Sequence, residues 1–315
     1  MDTVEIRFHG AAGTVSGLCF ELRTKDTKVL IDCGMLQGTR TLEALNHEPL
    51  SFDLSGIDAV ILTHAHFDHS RRLPYLVASG CSAPICTTEP TADIIEPLLL
   101  DAAKLQAADS ERRSRRPDRA RLKAFEPLYS VEDVAACLRF LREMHYCYWH
   151  DLGKGNGFRL RDTHHIVGSA SVELKLAGQR ILVSGVVGNG GAICCAGPTL
   201  GGYDHVLCES TYGNRDREPV LVSDRREQLA CHVEDVLDRG GNLLIPAFAV
   251  ERTQVVLDDF VALLKRSGWA ESMSSLIRRW PSGLRLRRCA TGTAVMICSI
   301  TPTYASLSKS RIRRS

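Results

Sequence analysis

Residues 58–75 read DAVILTHAHFDHSRRLPY, and this stretch decides the fold of the chain. Its first part, from Ala59 to Leu62, is a short aliphatic and β-branched run, which predicts a buried strand. After Thr63, the six residues from His64 to His69 hold four potential metal ligands: His64, His66, Asp68 and His69. A tight loop after a strand end can aim several imidazoles at one point, and imidazole nitrogen with carboxylate oxygen suits zinc. The stretch predicts a metal site; the alternative is a polar loop in which histidines cluster without a metal.

These four residues follow the spacing His-x-His-x-Asp-His, which resembles the signature of the metallo-β-lactamase superfamily. The resemblance implies an α+β fold, a four-layer αββα sandwich with strands inside and helices outside. We expect residues 1–207 to form this metallo-β-lactamase-like domain.

Two further positions match the pattern of the superfamily. The strand predicted at Lys28–Ile31 ends at Asp32, and the resemblance implies that this aspartate supports the metal histidines. The physical reason is that a ligating imidazole usually gives its other N–H to an acceptor, which fixes its tautomer and direction. The alternative is an aspartate that only caps a turn.

His165 precedes Ile-Val-Gly-Ser-Ala and is assigned as a metal ligand by the same resemblance. His164 stands where the family usually has glycine.

One position departs from the pattern in a way that bears on chemistry. The strand at 180–185 should deliver an aspartate after Ser-Gly, but residue 186 is valine. In the family this carboxylate bridges two metal ions. Valine has no lone pair, so Val186 leaves a second metal site incomplete.

Two later segments narrow the family to one branch. CESTYG at 208–213 and GGNLLIPAFAVERTQ at 240–254 resemble the start of the β-CASP domain, which marks members that process nucleic acids. We expect residues 208–265 to form an incomplete α/β β-CASP insertion. Glu209 matches an acidic residue of that branch, and Glu251 replaces a usual glycine. As an alternative, Glu209 is an ordinary carboxylate at an exposed strand end.

The resemblance implies a division of roles among these residues. One zinc ion would be held by His64, His66 and His165, and a second by Asp68 and His69 with help from residues this sequence lacks. Asp68 would also orient the attacking hydroxide, and Glu209 would position the histidine that protonates the leaving oxygen. The cofactor is therefore one zinc ion or two, with the second site incomplete.

The segment from 266 to 315 differs in composition from the rest of the chain. It carries ten basic residues against the single acid Glu271. Because the whole chain has a net charge of +2, residues 1–265 together carry a net charge of about −7. Its serine, arginine and short apolar pieces show no sustained period, which favours a disordered or aberrant tail. The β-CASP pattern requires two further histidines, but none follows His232. We expect a chain that is C-terminally truncated or frame-shifted near Arg266.

Composition indicates how large a core the chain can bury and in which cellular compartment it is expected. A chain of 315 residues that is 44% hydrophobic can bury a substantial core. No apolar run reaches the roughly 18 residues of a membrane span, and the start lacks the order of a signal peptide. The twelve cysteines form no Cys-x-x-Cys pair, so we expect mostly buried thiols in a reducing cytoplasm.

The sequence thus predicts a zinc-dependent hydrolase that cleaves phosphodiester bonds of single-stranded RNA, with activity impaired by Val186 and the missing histidines. One alternative is an inactive homologue that binds RNA or regulates a partner. Another is a small-molecule hydrolase acting on a thioester or lactone, although such an enzyme would not need the segment at 208–254. Endonuclease or exonuclease action and oligomeric state are not specified by the sequence.

Overall fold

The computed structural model describes residues 3–115, 126–188, 202–216, 218, 220–239, 241–266, 284–288 and 293–300. The chain divides into two compact units, Met1–Asp216 and Arg217–Ser315. The three-part division predicted from the sequence, with boundaries after 207 and 265, stays a prediction. Across the described ranges, no helix is both long enough and apolar enough to cross a membrane.

The first unit begins with a six-stranded sheet whose strands lie in chain order. They are β1 (Glu5–Phe8), β2 (Phe20–Arg23), β3 (Lys28–Ile31), β4 (Ala59–Ile61), β5 (Ile85–Thr88) and β6 (Leu141–Met144). Strands β1 to β3 pair antiparallel, and β3 to β6 pair parallel. All three residues of β4 are buried, as expected for a central parallel strand covered on both faces. The apolar run before the histidines was therefore correctly predicted as a buried strand.

The described part of the first unit also contains five α-helices, three of which pack against one face of this sheet. They are α1 (Arg40–Ala44), α2 (Phe67–Ser70), α3 (Leu73–Ala78), α4 (Glu89–Ser114) and α5 (Val131–Leu138), with a short 3-10 helix at Leu45–His47. Leu73 of α3, Ile95 of α4 and Val134 of α5 pack in one core with Leu30 and Val60 of the sheet. Helix α5 begins at a capping box in which Ser130 and Asp133 bond each other's backbone N–H.

A second sheet of five strands lies against the other face. It contains β7 (His150–Gly153), β8 (Asn156–Asp162), β9 (Ala170–Leu176), β10 (Gln179–Val183) and β11 (His205–Leu207), in the order β11-β10-β9-β8-β7. Phe158, Leu160 and Val172 pack against Ile31 and Ile61 of the first sheet in a second core. The two sheets therefore stack as a sandwich, and the predicted α+β sandwich fold is confirmed.

The opposite face of the second sheet carries a buried ion cluster. Glu173 is fully buried and accepts hydrogen bonds of 2.8 Å each from Arg159, Arg161 and Arg180. Burial alone would raise the pKa of Glu173, but hydrogen bonds from Arg159, Arg180 and Arg161 outweigh it and lower that pKa to about 2. This carboxylate ties three strands together through its three arginine partners.

The second unit has its own small sheet. Its elements are α6 (Val222–Arg239), β12 (Gly241–Phe248), α7 (Arg252–Arg266), β13 (Leu284–Arg288) and β14 (Thr293–Ile300), with strand order β12-β14-β13. Arg225 of α6 forms a bidentate ion pair with Asp259 of α7 (2.6 and 3.0 Å). Strands β13 and β14 lie in the segment after 266, for which the sequence favours a disordered or aberrant tail; that expectation for the segment as a whole stays a prediction. Their alternating Leu-Arg pattern and short apolar run are strand patterns that a disorder argument from composition overlooks.

Cysteines are mostly free and buried, as the sequence predicts. Among the described residues, seven are free thiols, and five of these are buried: Cys19, Cys33, Cys81, Cys86 and Cys137. Cys147 is disulfide-bonded. Burial raises the pKa of the Cys137 thiol to about 12, so that thiol stays protonated at neutral pH.

Two non-glycine residues adopt left-handed backbone angles at positions where the family resemblance implies glycine. His164 has φ 52° and Glu251 has φ 67°. A side chain in this region brings Cβ close to a carbonyl oxygen, at a cost of about 1–2 kcal/mol. The backbone at both positions therefore keeps a conformation that favours glycine, even though the sequence has changed.

We expect His164→Gly to raise the free energy of unfolding by roughly 0.5–1 kcal/mol, because glycine removes the left-handed strain but adds freedom to the unfolded chain. Urea denaturation measures the change. His164→Ala is the matched control, since alanine loses the imidazole but keeps Cβ. An equal gain in the alanine variant would show that the imidazole, and not the backbone angle, is the source of strain.

Glu173→Gln tests the ion cluster. A carboxylate with a lowered pKa stabilises the fold above its unfolded-state pKa of 4.5, and this contribution is lost as pH falls toward about 2. The wild-type free energy of unfolding should therefore fall across this window, and the variant should show a shallower fall. At neutral pH we expect the variant to be less stable by roughly 3 kcal/mol, because three arginines lose their charged partner.

Glu126→Gln, at an exposed position, is the control and should keep the wild-type pH dependence. Identical pH slopes for wild type and Glu173→Gln would contradict this account of the cluster.

Candidate metal centre

The histidine-rich loop connects β4 to α2 at the C-terminal end of the first sheet's central strand. Ala65 and His69 are buried, while the side chain of His66 is half-buried at the start of α2. Ser70 fixes the turn because its hydroxyl donates to the carbonyl oxygens of Ala65 (3.1 Å) and His66 (2.9 Å). The loop therefore holds its three histidines on a short, internally bonded turn.

Two segments, one before β2 and one after β3, hold this loop from the other side. Leu18 N–H donates to the Asp68 carbonyl and Cys33 N–H donates to the His69 carbonyl, each at 2.8 Å. A Cβ at Gly34 would lie 1.6 Å from the Asp68 carbonyl oxygen, so this close backbone approach requires glycine. The position of Asp68 and His69 is thus set by backbone contacts as well as by their own helix.

His165 lies in the loop between β8 and β9, and Ser169 organises that loop. The Ser169 hydroxyl oxygen accepts from the N–H of His165 (3.1 Å) and Ile166 (3.2 Å). A Cβ at Gly188 would meet the His164 carbonyl oxygen at 1.9 Å. The β8–β9 loop is therefore packed closely along its backbone.

One hydrogen bond joins the two histidine loops directly. Ala170 N–H donates to the Thr63 carbonyl at 2.9 Å. Because Thr63 precedes His64, and Ala170 follows the loop of His165, this bond brings the two histidines to the same end of the sandwich.

Three imidazole nitrogens converge at this end. His66 Nδ1 lies 3.1 Å from His64 Nε2 and 3.2 Å from His165 Nε2. Among the described residues, these three form the group whose ligand atoms all lie within 4.8 Å of one another. Nitrogens bound to one tetrahedral zinc at about 2.0–2.1 Å lie about 3.3 Å apart. The donor set and its spacing fit one zinc ion with an open fourth position.

The protonation of His64 agrees with a ligand role. Burial, followed by the nearby His69, His66 and His165, holds the pKa of His64 well below its ordinary value. A neutral imidazole keeps a lone pair for a metal, whereas an imidazolium has none.

His69 and Asp68, the predicted ligands of a second ion, lie beside this group. The ring centroid of His69 lies 3.9 Å from that of His64, with the ring planes tilted by 48°, and His69 Nε2 is 3.6 Å from Asp68 Oδ2. Burial acts to lower the pKa of His69, but the Asp32 carboxylate, with a smaller effect of Asp68, raises it overall. Their role as ligands stays a prediction.

Asp32 is fully buried with φ 60° and accepts three hydrogen bonds. Its Oδ1 accepts from Thr63 N–H (2.7 Å), and its Oδ2 accepts from the Thr63 hydroxyl (2.8 Å) and from His69 Nδ1 (2.7 Å). Sequence reasoning named Asp32 but missed Thr63, whose oxygen is also 2.9 Å from His64 Nδ1. The only signal in the sequence was a hydroxyl residue directly before the first histidine.

Val186 and Glu209 are not part of the three-histidine group. Val186 is half-buried and follows Gly185, where a Cβ would lie 2.7 Å from the Ala170 carbonyl oxygen, so valine stands next to the junction of the two loops. Glu209 is half-buried, and its Oε2 accepts from Thr211 N–H at 2.9 Å. Glu209 lies just beyond the end of β11, as in the alternative of an ordinary carboxylate at a strand end, and its catalytic role stays a prediction.

A cavity of about 520 Å³ lies elsewhere in the sandwich, at the N-terminal ends of β4 and β5. Ala59, Cys86, Trp149 and Phe158 are among its lining residues, and no predicted site residue is. The histidine site, at the opposite end of β4, is therefore separate from it.

Comparisons with known proteins agree with this geometry. Residues 12–127 match the metallo-beta-lactamase superfamily. Ribonuclease TTHA0252 of Thermus thermophilus is 37% identical over 249 residues, which cover 79% of this chain and 52% of that protein. Probable RNase MJ4 of Methanocaldococcus jannaschii is 31% identical over 265 residues, covering 81% of this chain and 56% of that protein.

A eukaryotic relative extends the match. Endoribonuclease YSH1 of Eremothecium gossypii is 26% identical over 329 residues, covering 100% of this chain and 39% of that protein. The chain thus spans about half the length of the curated relatives it matches, or less. Residues 12–127 form a metallo-β-lactamase domain, and over about four fifths of its length the chain is similar to proteins named as ribonucleases, in agreement with its resemblance to the β-CASP branch.

Proposed function

We propose that this chain is a zinc-dependent hydrolase that cleaves phosphodiester bonds in single-stranded RNA. The observation that carries the proposal is the meeting of His66 Nδ1 and His165 Nε2 at 3.2 Å, although these residues are 99 positions apart. A three-nitrogen set of this spacing is a zinc site with room for a water or substrate. The ribonuclease names of the relatives support RNA as the substrate.

Each residue of the site has a role in this proposal. His64, His66 and His165 hold the ion, which when bound lowers the pKa of a coordinated water and stabilises charge on the phosphoryl group. Asp68 has a side chain that is 30% exposed, so its carboxylate can accept a proton from water and orient it toward substrate. Asp32 keeps His69 in place. Glu209 would position a proton-donating histidine, but no histidine follows His232 in this sequence, which is a second reason to expect slow hydrolysis.

We further propose one tightly bound zinc and slow hydrolysis. The first ligand set is complete with three imidazoles, but the second set has only Asp68 and His69, because Val186 offers no ligand atom. Loss of a residue that merely orients a ligand costs about 10- to 100-fold in affinity or activity, and loss of a ligand should cost more. A cytoplasmic location belongs to this proposal and is supported by seven free thiols among the described residues, against which stands the one disulfide-bonded cysteine, Cys147.

His165→Ala should abolish tight zinc binding, because two imidazoles on one loop leave an incomplete ligand set. Elemental analysis of the purified protein gives the stoichiometry, and cleavage of a labelled single-stranded RNA gives the activity. We expect one zinc per wild-type chain, near zero per His165→Ala chain, and one for His232→Ala, an exposed histidine on α6. Two tightly held ions with fast turnover in the wild type would refute the proposal of an impaired second site.

Val186→Asp should restore the missing carboxylate. We expect a second ion to bind and RNA cleavage to rise by roughly 10-fold or more, because a two-metal site stabilises both attacking and leaving oxygens. Val186→Ala is the matched control, since it removes the valine without adding a ligand. Equal metal content in both variants would contradict a bridging role for position 186.

The absence of a ligand atom in Val186 favours a second candidate function, an inactive homologue that binds RNA without cutting it. Such a protein would bind RNA with an affinity that falls steeply with salt, because phosphate contacts release counterions. Measuring binding and cleavage on the same labelled RNA separates the two functions. A thioester substrate assayed in parallel tests for small-molecule hydrolysis.

A further inference from the structure

We infer that Thr63 is a positioning residue. Its hydroxyl donates a hydrogen bond to the Asp32 carboxylate and accepts one from His64, and in this way it decides which nitrogen of His64 carries the proton. The inference deepens the proposed function and rests on it for its consequence, which is a lone pair aimed at the zinc position. The proton placement itself follows from hydrogen-bond accounting among four buried residues: Asp32, Thr63, His64 and His69.

The accounting begins at Asp32, whose carboxylate only accepts hydrogen bonds. Its Oδ2 has two neighbours within hydrogen-bond distance, the Thr63 hydroxyl at 2.8 Å and His69 Nδ1 at 2.7 Å. Both neighbours must donate. The single hydroxyl proton of Thr63 is therefore directed to Asp32, and His69 Nδ1 carries a proton in either state of that ring.

The same hydroxyl oxygen lies 2.9 Å from His64 Nδ1. Because its proton is already used, the oxygen can only accept from His64, so Nδ1 of His64 carries the proton. In the opposite tautomer, the lone pair of His64 Nδ1 would face a lone pair of the hydroxyl oxygen at 2.9 Å, and a buried site makes such an unmade hydrogen bond costly. His64 Nε2 is thus left with the free lone pair, and this is the nitrogen 3.1 Å from His66 Nδ1.

The backbone of Thr63 leaves its hydroxyl little alternative. Thr63 N–H donates to Asp32 Oδ1 at 2.7 Å, and its carbonyl accepts from Ala170 N–H at 2.9 Å. Thr63 is therefore held through both its N–H and its carbonyl. Gly185 also packs against it, since a Cβ built at Gly185 would lie 3.5 Å from the Cβ of Thr63. One carboxylate therefore orients two imidazoles, His69 directly and His64 through Thr63.

The test compares Thr63→Val, which has nearly the same shape without the hydroxyl, with Thr63→Ser, which keeps the hydroxyl. Metal-free protein labelled with ¹⁵N in histidine is examined by long-range ¹H–¹⁵N correlation at about pH 8, above the ordinary imidazole pKa of about 6.5. A His64→Gln variant assigns the His64 signals. We expect the Nδ1–H tautomer of His64 in wild type and Thr63→Ser, and its loss in Thr63→Val.

Zinc affinity, measured by competition with a chelator, is the second readout. We expect Thr63→Val to bind zinc about 10- to 100-fold more weakly and Thr63→Ser to stay within about threefold of wild type. A wild-type His64 with its proton on Nε2 would overturn the inference, as would a Thr63→Val variant with unchanged tautomer and affinity. If Thr63→Val does not fold, the tautomers of wild type and Thr63→Ser still decide the question.

Failure of the proposed function is distinguishable from failure of this inference. A protein that shows the expected tautomer and zinc affinity but cleaves no RNA supports the inference about Thr63 and removes only the ribonuclease proposal. A protein that cleaves RNA but carries the His64 proton on Nε2 supports the ribonuclease proposal and removes the inference about Thr63.

Discussion

The buried carboxylate of Asp32 is the constraint on which the rest of the site depends. A carboxylate taken out of water is costly unless its oxygens are fully hydrogen-bonded. Here three donors meet it, and two of them belong to Thr63, the residue that leads from the central strand into the histidine loop. Satisfying one buried carboxylate therefore also fixes the direction in which the histidine loop leaves the sheet.

The stacking of two sheets supplies the second requirement, which is the approach of distant loops. Ile31 and Ile61 from one sheet share a core with Phe158 and Leu160 from the other, and this apolar contact is not directional. The Ala170–Thr63 backbone bond adds direction, because it sets the height of the second loop relative to the first. Apolar packing thus brings the loops together, and a few polar bonds set their register to within the reach of one ion.

Local features of this fold could be predicted from the sequence because they are encoded in short windows. The buried run at Ala59–Leu62 and the ligand spacing after it predicted the strand, the loop and the superfamily. Thr63 was missed because its role depends on contacts with Asp32, 31 positions away, which no window contains. The end of α5 shows the same limit, because Leu141–Met144 pairs with β5 instead of extending the helix, and that pairing is also a contact with a distant segment.

The close contacts at Gly34 and Gly188 bear on how this protein could be altered by laboratory evolution. Each of these glycines presses against a carbonyl of a histidine-bearing loop, so a library randomised at either position would be depleted of nearly all other amino acids. Val186 differs from these glycines, because it stands next to the loop junction, carries no ligand atom and can be replaced by other side chains. Diversity for new hydrolytic specificity is best introduced there, with both glycines held constant.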